Sequence, residues 1–595
     1  MSESEATASA ERRAVISPLQ AIAAGIVAAG AALGLSEILS GLSRKIPSLV
    51  VSVADIIVDN TPGDIARWSI EQLGGNQKPV LVWGIVVVSI LLGAVLGWFS
   101  RQRWWMMPAG MVVFAVIGGW AAARNPLSSD GLGWMSGLLS GAFGIAVFMS
   151  LYALALFSRL PVDEVPSDAE TEKVPMVGRG RFDDRRRFVG AVGIMAGASL
   201  AGGLLGRWLR RRDTVEGARE GVAESLQGRT IATPTTRPAP TTRPAPTATA
   251  TAGSTPTATA EAASTPAADG TPEAMPEATE VPTPSVTAEP VREPNFDYIA
   301  GIAPLITPNE DFYLIDTALS YPQIDPADWS LRIHGMVDRE VEISFDELLD
   351  LGLVQEQVTL SCVSNRVGGR LVGNAEWVGV PLAKVLDQAG VQPGATQIVG
   401  RSVDRWTAGF PTEVALDGRV ALVAVQMNGE PLPISHGFPA RLVVAGLYGY
   451  VSATKWLSDI ELTTWEGFDG YWIPRGWSKE GPIKTQSRID VPRKDSTIDP
   501  GPTAIAGVAW APSRSIDKVE VQVNDEPWVE AELSRETTTN SWRQWMVTWN
   551  ATPGEHLVRV RATDGTGTTQ TSETSNPAPD GATGWHTIQV RADQA

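Results

Sequence analysis

At 595 residues the chain is too long for one hydrophobic core, and domains of about 50–200 residues imply three or four units. Its formal net charge of -18, from 48 basic and 66 acidic residues, argues against a nucleic-acid partner, which would need clustered lysine and arginine to track phosphates. A single cysteine excludes an internal disulfide framework.

Taken in chain order, the first third is apolar. Five stretches are long and uncharged enough to cross a bilayer, which takes about 20 residues. They are Ala14–Ser36, Pro79–Ser100, Trp104–Ala123, Gly131–Ser158 and Phe188–Gly206. A sixth run, Ile46–Val58, is short and interrupted by Asp55, and reads as interfacial or re-entrant. With a cytoplasmic N-terminus, Arg12, Arg13, Arg101, Arg103 and the basic residues from Arg159 to Arg187 all fall on the inner side. Five crossings then leave everything after Gly206 outside, so the C-terminal part is expected to be extracytoplasmic on a multi-pass membrane protein. Arg207, Arg210, Arg211 and Arg212 run against that rule. The stretch "DDRRRFVGAVGIMAGASLAGGLLG" offers a reason, since Arg185 and Arg186 before a weakly hydrophobic run resemble a twin-arginine export signal, a route for folded proteins. A plain cytoplasmic basic flank is the alternative. All four histidines lie after residue 330, so no span can supply the imidazole pair that holds a transmembrane b-type haem. Residues 1–212 are therefore expected to be a five-helix anchor with no haem.

From residue 213 to 294 the composition turns to Thr, Pro, Ala and acidic residues, as in "ATPTTRPAPTTRPAPTATATAGSTP". So little apolar side chain cannot offset the entropy of ordering, and the segment reads as a disordered stalk. Beyond it, "WSLRIHGMV" alternates like a strand, "SFDELLDLG" reads as a short helix capped by Ser344, and "PLAKVLDQAGV" reads as an amphipathic helix ending at Gly390. "RLVVAGLYG" and "KWLSDIELTTW" are apolar strands, so residues 295–497 are an α+β domain without regular βα alternation. Residues 498–595 carry alternating strands with Asp, Asn and Gly turns and central tryptophans, which reads as an immunoglobulin-like β-sandwich.

Cys362, in "VTLSCVSNRVGG", is the lone thiol of a part expected to face an oxidising medium. Burial as an inert residue, nucleophilic reactivity and metal ligation would each retain it, and no protease-type signature surrounds it. "PNEDFYLIDTALSYPQIDPADWSLRIHGMV", "VTLSCVSNRVGG", "NAEWVGVPLAKVL", "MNGEPLPISHGFPARLVV" and "SATKWLSDIEL" follow in an order and spacing that resembles the sulfite oxidase family of molybdopterin-dependent oxidoreductases, over residues 295–595. In that family molybdenum is held by two dithiolene sulfurs of one pterin and by one cysteine thiolate, the position that Cys362 matches. A soft thiolate suits such a metal. His436, Arg441 and Lys455 match positions that contact the pterin, and Asn365 and Arg366 adjoin the thiolate. The resemblance also implies that the sandwich is a dimerisation domain and the protein a homodimer.

The departures bear on substrate. Where sulfite oxidases carry an arginine and a histidine in the "FYLIDT" block this chain has Ile315 and Thr317, and where they carry a second arginine it has Val367. Each lost charge-assisted bond is worth roughly 1.5–3 kcal/mol to a buried dianion. Sulfite and nitrate are therefore poor candidates, and a neutral small molecule such as a sulfoxide or N-oxide fits better. Asp316 and Tyr471 are candidate catalytic polar groups of the pocket. The reading is a membrane-anchored molybdenum-cofactor oxidoreductase that transfers an oxygen atom and exchanges electrons with an external carrier, a cytochrome or similar. The alternatives are the reductase direction on sulfoxides or N-oxides, and a non-catalytic scaffold that keeps a degenerate molybdopterin fold.

Overall fold

The first ordered element starts where its cap dictates. Ser17 accepts from Gln20 N at 3.2 Å while Gln20 Oε1 accepts from Ser17 N, and Pro18 takes the first helical position, where its missing N–H costs nothing. The computed structural model describes residues 16–73, 76–126, 128–157, 179–212, 215–232 and 295–593. Helix α1 (Pro18–Leu42) is followed by two short helices, α2 (Leu49–Asp59) and α3 (Gly63–Leu73), and then by α4 (Gln77–Phe99), α5 (Met106–Ala123), α6 (Asp130–Phe157) and α7 (Arg179–Arg212). Of these, α1, α4, α5, α6 and α7 are long and apolar enough to cross a membrane. They coincide with the five expected stretches, and the Ile46–Val58 run becomes the 11-residue α2, packed against α4 and α5. Arg12, Arg13, the loop 158–178 and the side chains of Arg185, Arg211 and Arg212 lie outside the described residues.

Helix α1 is the hub of the bundle and touches α4, α6 and α7. Its small residues let the partner backbones approach closely, which is how helices pack in a solvent as apolar as their own side chains. A Cβ on Gly25 would stand 2.1 Å from Gly93 O, so the α1–α4 crossing depends on that glycine. Gly25→Leu is expected to force the two helices apart at a cost of about 1–3 kcal/mol. Thermal unfolding of the purified full-length protein should register this as a lower midpoint; an unchanged midpoint would mean that the crossing is not formed.

The next elements correct the expected stalk. Helix α8 (Glu216–Gln227) and strand β1 (Ile231–Ala232) fall within it. Val215, Val222 and Leu226 are buried in the core of the following domain, and β1 pairs in parallel with Leu353–Val354. Arg219 donates to the carbonyls of Leu432 and Pro431 at 3.0 and 2.8 Å. This short segment has the amphipathic face that the Thr/Pro tract lacks. Residues 233–294 lie outside the described residues.

The α+β domain has two sheets. Strands β2 (Ser330–Gly335) and β3 (Val341–Ser344) lead to helix α9 (Phe345–Asp350), closed by the expected cap as a full capping box between Ser344 and Glu347. Then come β4 (Leu353–Ser361), β5 (Val372–Pro381), helix α10 (Leu382–Asp387), β6 (Gln397–Ser402), β7 (Thr407–Pro411), β8 (Ala421–Met427), β9 (Glu430–Pro431), β10 (Arg441–Val444) and β11 (Leu457–Thr463). One sheet runs β1-β4-β5-β8-β10 with β9 beside β8, and the other β3-β2-β11-β6-β7. The antiparallel β4–β5 pair ends at Ser361 opposite Val372, so the loop 362–371 that carries the cysteine is a hairpin tip.

The C-terminal part is a β-sandwich that begins earlier than residue 498. Strand β12 (Gln486–Val491) pairs with β14 (Gly501–Trp510), then β18 (Arg543–Ala551) and β17 (Glu532–Leu533) complete that sheet. The facing sheet runs β13 (Thr497–Ile498), β20 (His586–Ala592), β19 (Gly554–Asp564), β15 (Ile516–Val523) and β16 (Val529–Glu530). Ile505 and Trp545 from one sheet meet Val519, Val560 and Ile588 from the other in a single buried core. The sandwich also shares a core with the α+β domain through Val508, Trp510 and Trp542.

Candidate functional site

The hairpin tip is held from several directions. Cys362 N donates to Leu371 O at 2.9 Å, Asn365 N to Cys362 O at 3.0 Å, and Leu371 N to Asn365 Oδ1 at 2.9 Å. Asn365 thus shapes the loop through its amide oxygen. From the sandwich, Arg488 donates to Gly369 O at 3.0 Å. The Cys362 side chain, 7% exposed, has its thiol pushed up by burial, with Ser364 pulling the other way through backbone and side-chain hydrogen bonds. Bringing a cation or metal to the sulfur would reverse that burial effect. Arg366, next to Asn365, is exposed.

Three basic residues from other elements gather near one another, and Tyr313, which feels the charges of both Cys362 and Arg441, lies between them and this loop. Arg441, at the start of β10, is buried and lies 5.1 Å from the centre of the Trp377 ring. It donates to His436 O at 3.1 Å and has no carboxylate partner among the described residues. Burial pushes its guanidinium down to about 10, still fully protonated at neutral pH. His436 is pushed down to about 4 by burial and by the neighbouring Arg441 and Lys455, so it is neutral. Its Nε2 lies 3.1 Å from Asn309 O, which fixes that nitrogen as the donor. Lys455 Nζ sits 2.5 Å from Asp316 Oδ2 and donates to Ser435 O at 2.9 Å. Burial lowers it to about 8 despite that carboxylate.

Asp316, a candidate pocket group in the sequence, is tied into an ion-pair bridge. Burial would raise its carboxyl, but the ammonium groups of Lys455 and Lys78 together hold it below the usual range. Lys78 comes from the first turn of α4. Asp316 is thus a bridge between two lysines. Tyr471 lies apart from the basic group, against a cavity of about 270 Å³ that it lines with Asp59, Thr317, Asp404, Arg405, Trp406 and Arg475. Arg475 stacks 3.7 Å from the centre of its ring.

Two tyrosines escaped the sequence reading. Tyr313 is pushed strongly up by burial and by the charge of Cys362, and is steadied by Arg441. Tyr448 is pushed up to about 12, again chiefly by burial, with Cys362 contributing. Tyr313 is half-buried and Tyr448 buried, and both phenols would be donors to an anionic group near the thiol. The clusters "FYLID" and "GLYGY" contain them, but aromatic residues in apolar strands read as core unless a tertiary contact says otherwise.

A family model described as the oxidoreductase molybdopterin binding domain matches residues 318–472. An uncharacterised oxidoreductase of Bacillus subtilis (strain 168), YuiH, is 32% identical over 157 residues, covering 26% of this chain and 76% of that protein. The chain belongs to the sulfite oxidase family of molybdenum-dependent oxidoreductases. Mitochondrial sulfite oxidase of Rattus norvegicus is 29% identical over 289 residues, covering 41% of this chain and 52% of the relative, so the chain spans about half the length of such relatives. Among solved structures, the sulfane dehydrogenase SoxCD of Paracoccus pantotrophus is 24% identical, with a TM-score of 0.44 over 52% of this chain and 87% of that one.

The sulfite oxidase family implies a molybdenum held by a pterin, and the donor set fits it. Among the described residues no group of three or more His, Cys, Asp or Glu side chains could cage a metal ion. A metal at Cys362 would have one protein ligand and would need its remaining ligands from an organic partner. Lys455 and Lys78 share one carboxylate and the buried Arg441 has none among the described residues, an excess of positive charge that a phosphorylated pterin would neutralise.

The Lys455 value gives a pH expectation. Its ammonium is full below about 8 and lost above it, so cofactor uptake should be flat below pH 8 and weaken as pH rises beyond. The cofactor-free fold should behave oppositely. Its penalty for burying a charged lysine is complete below about 8 and is relieved between there and the ordinary 10.5, so Lys455 adds a positive slope of stability with pH in that window. Fluorescence titration with pterin across pH 6–10 reads the first effect. Lys455→Arg should remove the inflection, and an inflection that survives would assign it to another group.

Proposed function

We propose that the protein is a membrane-anchored molybdopterin oxidoreductase that transfers an oxygen atom to or from a small, neutral, dipolar substrate on the extracytoplasmic side. The observation that carries the reading is the single buried thiolate-forming residue, Cys362, set beside a buried and under-neutralised basic group. When bound, molybdenum supplies a centre that exchanges oxo groups and electron pairs. Cys362 would be its protein ligand, and Arg441, Lys455 and His436 would bind the pterin, with the neutral His436 as a hydrogen-bonding rather than a charged contact. Tyr313 and Tyr448 would donate to anionic atoms near the sulfur, and Asn365 would keep the loop in shape. Arg366 would contact the cofactor from the exposed rim of the loop, and Tyr471 would contact substrate.

Charge near the cavity supports the neutral substrate class. Two guanidinium groups, Arg405 and Arg475, are offset there by two carboxyl groups, Asp59 and Asp404. A dianion gains little from such a mixture, while an S–O or N–O dipole finds both a donor and an acceptor. Reduction of a sulfoxide would break its S–O bond and release the oxygen as water, taking up two protons and two electrons from an external carrier.

In this reading the five long helices, with exposed apolar side chains such as Leu91 on α4, Val113 on α5, Leu138 on α6 and Leu200 on α7, are the anchor. Export would follow the twin-arginine-like segment, and residues 233–294 would form the stalk. The sandwich would be an immunoglobulin-type dimerisation domain. Lys78 and Asp59 reach the catalytic part from the start of α4 and the end of α2, and Arg101 donates to Ile16 O at the opposite end of the bundle. That arrangement suits an inner N-terminus with an outer catalytic part.

Dye-linked assays test the substrate class. Dimethyl sulfoxide or trimethylamine N-oxide should oxidise a reduced viologen with a kcat/KM about two to four orders of magnitude above that for sulfite-driven dye reduction, from the missing charge-assisted bonds. Sulfite as the better substrate would overturn the assignment.

A further inference from the structure

Helices α2 and α3 and the first turn of α4 are seated on the catalytic domain. Lys78 pairs with Asp316 Oδ1 and donates to Ala318 O at 2.8 Å, while Lys455 holds the other oxygen of the same carboxylate. Arg475 donates through Nη2 to Asp59 O at 2.9 Å. Gly63 starts α3 so close to the chain at 475 that an added Cβ would stand 2.7 Å from Arg475 O and 2.9 Å from its Cα. Between these contacts lies the cavity, with Asp59 of α2 as one wall and Thr317, the neighbour of Asp316, as another. Asp404, a further wall, feels the charges of both Asp316 and Lys455. The cavity therefore abuts the lysine–carboxylate bridge, and the segment from Thr317 back to Tyr313, whose hydroxyl lies beside Gly449 together with Ser361 O, leads on to Cys362.

We propose that α2, α3 and Lys78 are a roof over the approach to Cys362, fastened by the Lys78–Asp316 pair and the Gly63–Arg475 contact, which admits small molecules and turns away polypeptide. The proposal rests on Cys362 as the reactive centre. The half-open space of about 270 Å³ is enough for a compound of several heavy atoms. A polypeptide would have to pass α2 and α3, which are fastened to the chain at 475. Lys78 is a positioning residue in this arrangement: it reaches no substrate, but it shares the carboxylate that fixes Lys455.

Because Cys362 is the only cysteine, its modification rate reports the roof directly. The full chain, made without cofactor and held in lipid nanodiscs, is treated with methyl methanethiosulfonate or with a polyethylene-glycol maleimide, each rate being normalised to that of the denatured protein. The small reagent should react and the large one should be slowed strongly. Lys78→Glu, which repels Asp316, and Gly63→Trp, which cannot pass the chain at 475, should speed the large reagent by at least about tenfold and change the small one by less than about twofold, the signature of local opening and not of global unfolding. Lys78→Met removes the ion pair without repulsion and serves if the harsher variants do not fold. A large reagent as fast as the small one in the unaltered protein, or unmoved by all the folded variants, would overturn the roof. The outcome is independent of turnover, whereas failure of the catalytic reading would show as protein that takes up no molybdenum.

Discussion

Cys362→Ser is expected to abolish turnover while leaving the protein folded. The side chain is 7% exposed, and the loop around it is held by backbone bonds from Leu371, by the Asn365 amide and by Arg488, none of which passes through the sulfur. Exchanging sulfur for a hydroxyl there should cost no more than about 1–3 kcal/mol, the penalty of a buried polar group with an imperfect partner. Removal of an outer partner of a metal ligand already costs about 10–100-fold, so loss of the only protein ligand should exceed 100-fold in kcat. Pterin should remain bound, because the basic residues that would hold it lie on other elements. The result to look for is a folded, pterin-containing, inactive protein; a variant with near-normal turnover would reduce Cys362 to a packing residue.

Arg441→Met should separate binding from stability. The guanidinium is buried over Trp377 with carbonyl partners and no carboxylate. Holding an uncompensated charge there is costly, and an apolar side chain of similar volume is often neutral or stabilising at such a position. The cofactor-free variant should therefore melt at the same temperature as the unaltered protein or slightly above it. Its pterin content should fall instead, since a charge-assisted bond to phosphate is worth about 1.5–3 kcal/mol, or roughly 10–150-fold in affinity. Loss of melting temperature with full cofactor occupancy would mean that Arg441 serves the fold and not the site.

Much of this was legible in the sequence for a physical reason. Membrane-length helices and a capped helix such as Phe345–Asp350 are written in local periodicity and in the Ser344–Glu347 spacing, and neither needs a tertiary contact to be recognised. Cys362, Asn365 and Arg366 were legible because they share one short loop. His436, Arg441 and Lys455 came from resemblance, and the fold brings them together over β10 and the start of β11. The two lysines that meet on Asp316 are separated from it by 238 and 139 residues, and no pattern in either neighbourhood announces the pair. The same holds for the roof. Residues 46–58 read as an interfacial or re-entrant run when judged by hydropathy alone, and only the partner surface at Arg475 shows what they and Asp59 cover. The start of the expected stalk failed for a related reason: Val222 and Leu226 are two apolar residues in a polar stretch, decisive only because a hydrophobic core lies beneath them.

The central claim is that one thiolate and a pterin hold a metal here. Molybdenum and pterin content of the full-length protein, purified in detergent, measures it most directly. About one molybdenum and one pterin per chain, with metal coordination altered in the Cys362→Ser variant, is the expected result. Folded, correctly inserted protein with neither molybdenum nor pterin would contradict it and leave the basic group around Arg441 to some other anion.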